Sequence, residues 1–450
     1  MNGKLHDKDE KDNGLGKLIQ KLGLKEYLIS PNKLQIGAVV RNLQSLGVNE
    51  LAEKAQITHY IITEQNKSGI FPYNRFLERG NKTFSNVISP DENIHRNCIV
   101  WCNNHYLGLD NNIEVMNAAK EAIDNYGVGC GTSAASGGFN SLHKKLEREL
   151  AEFINKEEVV LYPTGFTANL GCLSTISTKG DLIIVDRNCH ASIIDGVRSS
   201  EAEYRVFKHN NAADLEKILL STHSKDYNNV FVLVESVYSM GGDEAPLKEY
   251  CKLKSKYNYY LFVDEAHAFG FYGERGAGLS EHLSCTKDVD FLMSTLSKAT
   301  ASIGGFIGCS KEIASYLRIN SNPYLFQASI TPADTAASIA ALSIIKRDRK
   351  IKELLWKNTG RFREAVNSIG FDTGNSKSPI VPIYISDEEK LSAMCKQLFK
   401  NGIFTNWISY PAVKKGSGRL RFIVTANHND KQIDATVVIL EKCGKELGVI

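Results

Sequence analysis

No apolar run in this 450-residue chain reaches the roughly 18 residues that a membrane helix needs. A lipid-facing product, if one is made, would have to be met by a surface. The first residues lack the charged start and apolar core of a secretory leader. No long basic block occurs either: 54 Lys and Arg are interspersed with 51 Asp and Glu for a net charge of +3, which argues against a nucleic-acid partner. The lysines at the start (Lys4, Lys8, Lys11, Lys17) are diluted by Asp7, Asp9, Glu10 and Asp12, so that stretch reads as a solvated tail. Ten cysteines are present, but the nearest pair, Cys98 and Cys102, has neither zinc nor redox spacing. Strand alternation puts both on one face. Scattered thiols of this kind imply a reduced, cytoplasmic chain with no structural metal.

What is present is core-forming material, 42% hydrophobic residues, enough for two or three subdomains. Probable strands at Val159–Tyr162, Leu182–Asp186, Tyr204–Phe207, Val230–Glu235, Tyr259–Asp264, Phe291–Thr295 and Gly304–Cys309 alternate with helix patterns. Such alternation predicts an α/β fold whose mainly parallel seven-stranded sheet carries helices on both faces. Amphipathic helices are expected over Ile113–Tyr126, Leu142–Phe153, Thr331–Arg349 and Lys352–Ser368, and a smaller α+β domain at the C-terminus. The expected division is an N-terminal extension over 1–60, partly helical at Leu15–Leu22 and Leu34–Leu43, an arm over 61–110, a large domain over 111–345 and a small one over 346–450.

Within this frame Phe291-Leu-Met-Ser-Thr-Leu-Ser-Lys-Ala-Thr-Ala-Ser-Ile-Gly-Gly-Phe306 stands out, because one lysine, Lys298, sits among small uncharged residues just past a strand. An amine catalyst needs surroundings that lower its pKa or a carbonyl partner. Upstream, Tyr259-Tyr-Leu-Phe-Val-Asp-Glu-Ala-His267 is another buried strand ending in a carboxylate, Asp264. Strand carboxyl ends form the ligand crevice of an open α/β sheet, so Asp264 and Lys298 can face one bound group. An acid for a ring nitrogen and an amine for an aldehyde suggest pyridoxal 5'-phosphate (PLP). Their separation of 34 positions leaves room for one helical crossover. Asp264-Glu-Ala-His267 also occurs on the magnesium strand of one helicase class, but the phosphate loop such a motor needs is absent. The glycines from Gly127 to Gly138 follow a helix and make a weak dinucleotide fingerprint. Pro163-Thr-Gly-Phe-Thr-Ala-Asn169 is a glycine turn opening a helix, and a helix N-terminus suits a phosphate.

From about Gly69 onward these motifs, in this order, resemble the α-oxoamine synthases, fold-type-I PLP enzymes that include serine palmitoyltransferase, 8-amino-7-oxononanoate synthase, 5-aminolevulinate synthase and 2-amino-3-ketobutyrate ligase. Gly69-Ile-Phe-Pro-Tyr73 is similar to an entry arm of serine palmitoyltransferases, and Asn104-His-Tyr-Leu-Gly108 to the family's Asn-x-Tyr-Leu-Gly block. The resemblance implies Asn104 and Tyr106 at the substrate mouth; Thr164, Gly165, Phe166, Ser239 and Thr295 around the cofactor; and His190 stacked on its ring. It also implies Asp264 on the ring nitrogen, His267 on the ring hydroxyl, and Lys298 holding the aldehyde and moving the α-proton. Arg421, in Gly416-Ser-Gly-Arg-Leu-Arg-Phe422, would fork onto the substrate carboxylate, with Arg419 towards solvent. Ser329 would reach the neighbouring subunit's phosphate, which makes the expected assembly a homodimer with shared sites. His143, matched in the family, reads as structural. Relatives carry Arg where Ala134 stands, which marks this chain as divergent.

The implied reaction is decarboxylative condensation of serine, glycine or alanine with an acyl thioester, carried by coenzyme A or an acyl carrier protein, to an α-aminoketone. An aminotransferase of the same fold and a non-catalytic partner subunit of a synthase heterodimer are the alternatives.

Overall fold

The computed structural model describes residues 43–67, 75–80, 82–89, 94–222, 226–410 and 412–450. The expected helices at Leu15–Leu22 and Leu34–Leu43 and the arm motif at Gly69–Tyr73 lie outside, apart from Leu43, which is in a turn. A helix not expected from the sequence, α1 (Leu51–Lys67), buries Ile57 and Ile61, one turn apart, while Leu51 stays exposed.

Three strands follow, β1 (Phe76–Leu77), β2 (Phe84–Ser89) and β3 (Ile94–Val100), in an antiparallel ladder. The seven-stranded sheet comprises β4 (Glu158–Tyr162), β5 (Leu182–Asp186), β6 (Glu203–Phe207), β7 (Val230–Glu235), β8 (Tyr260–Asp264), β9 (Phe291–Thr295) and β10 (Gly305–Cys309). Its order is β4-β10-β9-β8-β7-β5-β6, and only β10 runs against its neighbours. Each strand lies within one residue of its expected bounds. The reason is composition: side chains such as Leu182, Ile183, Ile184 and Val185 are wholly buried, each worth roughly 1.5–3 kcal/mol. Strands covered on both faces must read as continuous apolar runs.

Helices stand at the expected places, including Ile113–Tyr126, Ser141–Ile154, Pro332–Arg347 and Arg349–Ser368. His143 caps its own helix through Asn140, and its Nε2 meets the carbonyl of Ile330 at 2.8 Å, a structural role. The crossover from β8 to β9 differs from expectation. It holds one turn of helix, Leu279–His282, after a run in which Gly270, Gly273, Gly276 and Gly278 all have positive φ. That many left-handed positions break any continuous helix.

Beyond, β11 (Ile380–Tyr384), β13 (Asn406–Ile408) and β14 (Arg419–Ile423) form a small antiparallel sheet with β14 in the middle, while β12 (Ile403–Phe404) joins β3. Its core captures Trp101, which stacks on Phe362 at 4.4 Å and on His428 at 3.9 Å. Trp101 and Tyr106 both accept main-chain hydrogen bonds from the chain following β14's start, from Ile423 and Ala426. The segment carrying Asn104 and Tyr106 is thereby clamped beside Arg421. Cys98 and Cys102 pack in one small cluster, as alternation requires, and all ten cysteines are free thiols.

Candidate active site

Parallel register sets the site. Glu235 ends β7 directly opposite Asp264 at the end of β8, and Lys298 follows β9 three residues beyond Thr295. Three strand ends thus deliver two carboxyl groups and an amine to the crevice side of the sheet.

Lys298 lies in a tightly tied loop. Thr295 Oγ1 donates to the Gly304 carbonyl at 2.9 Å, Ala301 N–H to the Lys298 carbonyl, and Thr300 Oγ1 to Leu296 at 2.7 Å. Burial lowers the Lys298 amine to a pKa of about 8; Arg421 pushes the same way, and Asp264 and Glu235 pull it back only in part. The neutral amine, the nucleophilic form, is therefore accessible near physiological pH. Labelling of Lys298 in cofactor-free protein by an aldehyde, trapped with borohydride, should rise through pH 8. A profile rising only above pH 10 would contradict this burial.

Asp264 is 4% exposed and doubly fixed: Oδ2 accepts from Asn169 Nδ2 and Oδ1 from the Ala266 N–H, both at 2.9 Å. The Asn169 amide also donates to Ser192 Oγ at 2.9 Å, and Ser192 Oγ meets His190 Nδ1 at 2.7 Å. The Ser192 backbone N–H points at the same Nδ1 at 3.2 Å. A backbone N–H can only donate, so Nδ1 is the acceptor and Nε2 carries the proton. Burial keeps His190 below its usual pKa, consistent with a neutral ring offering an Nε2–H donor. Sequence reasoning missed Asn169 and Ser192. Asn169 sits in the quoted glycine-turn motif, but its partner Asp264 is 95 residues away.

His267 is buried, its Nδ1 2.7 Å from Tyr106 Oη, and burial with the nearby Lys298 and Arg421 charges holds it neutral. Tyr106 is itself enclosed, so its phenol stays protonated. Arg421 gives Nε to the Ser239 carbonyl at 2.7 Å and Nη2 to Asn104 Oδ1 at 3.2 Å, which uses two of its five N–H donors. Arg419 corrects the expectation that it faces solvent. It is 8% exposed, donates to the Met240 carbonyl and to Tyr384 Oη, and lies over the Tyr384 ring. Residues two apart on a strand share a face, so Arg419 follows Arg421 inward.

The segment Ser236–Asp243 is thus tied by Arg421 at Ser239 and by Arg419 at Met240. A third cation completes the hold: His209 pairs with Asp186 at 2.9 Å and with Asp243 at 2.6 Å. These carboxylates outweigh burial and raise its pKa from 6.5 to about 9. A raised histidine stabilises the fold fully below the unfolded value of 6.5, and that contribution fades as pH rises through 9. Discounted for partial exposure, its pH-dependent part is about 2 kcal/mol. The stability gap between wild type and His209→Gln should therefore shrink between pH 6 and 9.5; a constant gap in urea melts would refute the charged pairing.

Thr164 caps the helix Gly165–Ile176 by a capping box with Thr167. The N–H groups of Gly165 and Phe166 are then left without intrahelical acceptors. Gly165 is required there, since a Cβ would lie 2.8 Å from Thr295 Cβ. Phe166 is 44% exposed and meets His190 edge-on, with ring centroids 6.4 Å apart. Ser329 lines a small void with Pro163 and Ala134, and its Oγ has no hydrogen-bond partner among the described residues. A cleft of about 1650 Å³ is lined by His190 and Ser239, by the cations Arg187, Lys248, Lys377 and Lys414 and by the acids Asp243, Glu244, Glu249 and Asp372.

The residues fit PLP. The amine, the fixed carboxylate, the open helix N-terminus and the partnerless hydroxyl of Ser329 are the donor set for an aldehyde, a ring nitrogen and a phosphate. Comparison with known proteins gives the same reading. The family model for aminotransferase class I and II matches residues 96–440. The 8-amino-7-oxononanoate synthase of Treponema denticola is 42% identical over 77% of this chain and 88% of its own length. The serine palmitoyltransferase of Bacteroides thetaiotaomicron is 39% identical over 85% of this chain and 95% of its own. A serine palmitoyltransferase from S. paucimobilis, solved with bound PLP–myriocin aldimine, superposes with a TM-score of 0.84 at 29% identity, covering 89% of this chain and all of that one.

Proposed function

We propose, for a chain that belongs to the aminotransferase class I and II family and is an α-oxoamine synthase within it, that Lys298, Asp264, His190 and Arg421 carry the condensation. The enzyme is an acyltransferase that uses PLP to join an amino acid to an acyl thioester. The observation that supports the residue assignment best is the buried Lys298 amine with a pKa of about 8 beside a doubly fixed Asp264.

Lys298 would hold the cofactor aldehyde, Asp264 the ring nitrogen and His267, with Tyr106 behind it, the ring hydroxyl. Thr164, Gly165 and Phe166 would hold the phosphate, with Thr295 and Ser239 beside it and the ring. When bound, PLP supplies the electron sink for the substrate's α-carbon. The chain's own residues do the rest. The neutral Lys298 amine takes the α-proton and returns one after carbon dioxide leaves. His190, neutral with Nε2–H outward, stacks and donates to the amino-acid carboxylate. Arg421 anchors that carboxylate with the donors not committed to Ser239 and Asn104.

The amino acid that His190, Asn104 and Arg421 would receive is a small one, serine, glycine or alanine. The cations lining the cleft, Arg187, Lys248, Lys377 and Lys414, would meet the phosphates of an acyl donor, coenzyme A or a phosphopantetheine-bearing acyl carrier protein. Ser329, partnerless within one chain, would serve the cofactor phosphate of a second copy in a homodimer with shared sites. Among the described residues no helix is long and apolar enough to cross a membrane, in keeping with a cytoplasmic enzyme.

Arg421→Lys tests the anchor. Loss of the fork should raise the amino-acid KM about ten- to a hundredfold and leave the KM for acyl thioester near wild type. An unchanged amino-acid KM would remove Arg421 from the substrate.

A further inference from the structure

Glu235 has no assigned part in this chemistry, yet it is 3% exposed at the end of β7, opposite Asp264 in the parallel ladder. The backbone N–H groups of His190 and Ser239, on two separate loops of the site, lie close enough to its carboxyl group to favour the charged form. Its Oε1 has no hydrogen-bond partner. Asp264, by contrast, has an N–H donor on each oxygen, which suits a charged carboxylate. Two ionised carboxylates on neighbouring buried strand ends would repel, so the pair holds one proton, and the less well-furnished member is the one to keep it.

We propose that Glu235 is a positioning residue that works as the neutral carboxylic acid beside the charged Asp264, keeping one O–H donor for an acceptor that arrives with the cofactor or amino acid. The inference rests on the PLP reading of the site. The surroundings agree. Burial and then the Asp264 charge drive the Glu235 acid well above the ordinary carboxylate range, against a weaker pull from Lys298 and the two N–H groups. The other titratable neighbours, Cys189 and Tyr238, are held protonated by burial and add no positive charge. The position calls for a neutral group that both accepts and donates, which the protonated acid provides and an apolar side chain of similar size does not.

The test compares the full-length wild type with Glu235→Gln, which keeps an acceptor and a donor, and Glu235→Leu, which keeps neither. Wild type minus Glu235→Gln infrared difference spectra at neutral pH should contain a protonated-carboxyl C=O band. Glu235→Gln should stay within about tenfold of wild type in PLP dissociation constant and kcat/KM, whereas Glu235→Leu should lose more than about tenfold in both, with the buried polar group gone and its incoming acceptor left unpaired. A carboxylate band in place of the acid band, or a Gln variant as impaired as the Leu variant, would overturn the proposal. So would a Leu variant indistinguishable from wild type. If the wild-type protein took up no PLP, the functional reading would fall, while the infrared band would still decide the protonation of Glu235.

Discussion

Replacing Lys298 with Ala should remove the visible absorbance of the lysine-bound cofactor and lower turnover by at least about 10⁴-fold, the range expected when a positioned acid–base group and a covalent anchor are lost together. The fold should survive. Lys298 is a buried amine whose charge is disfavoured where it sits, so its removal relieves a desolvation cost and should leave thermal stability equal or higher. The Leu296–Gly304 ties that shape the loop use backbone and hydroxyl groups, none of them the lysine side chain. A folded Lys298→Ala protein with wild-type absorbance and turnover would refute the nucleophile.

The second large effect is expected at Asp264→Asn. The substitution keeps size and shape, and the hydrogen-bonding frame can adjust, because Asn169 has a buried amide oxygen without a partner and can rotate to accept from the new amide. What vanishes is the negative charge that we propose faces the ring nitrogen. Loss of one preorganised electrostatic contact in a water-poor site costs about a hundredfold or more in kcat, so kcat should fall by that much at nearly unchanged stability. A cofactor analogue methylated on the ring nitrogen, and hence permanently charged, should recover part of the loss. Full activity in the Asn variant, or no benefit from the analogue, would place the ring nitrogen elsewhere.

Much of this site was legible in the residues because its chemistry sits at the ends of strands that announce themselves. The runs before Asp264 and Lys298 are apolar on both faces, so strand, end and crevice follow from composition alone. The capping box at Thr164 is likewise local. What was not legible is what depends on contacts between distant segments. The relay from Asp264 through Asn169 and Ser192 to His190, which sets the His190 tautomer, joins three helices and strands that no local pattern links. Glu235 was visible as the end of an expected strand, but its burial against Asp264 depends on strand register. The crossover after Asp264 was expected to hold a full helix, and four glycines with positive φ replaced it. For Arg419 the signal was present and outweighed: two residues from Arg421 on a strand means the same face, and its place in the middle strand of the small sheet buries it.

The most direct measurement is stoichiometry. Purified protein with PLP is given serine, glycine or alanine, each with an acyl-coenzyme A or an acyl carrier protein, while free thiol and carbon dioxide are followed together. A condensing synthase releases one carbon dioxide for each thiol, with one amino acid strongly preferred, and Lys298→Ala releases neither. Release of neither from any pairing, with amino-group transfer to added keto acids instead, would contradict the condensation and leave an aminotransferase on the same fold.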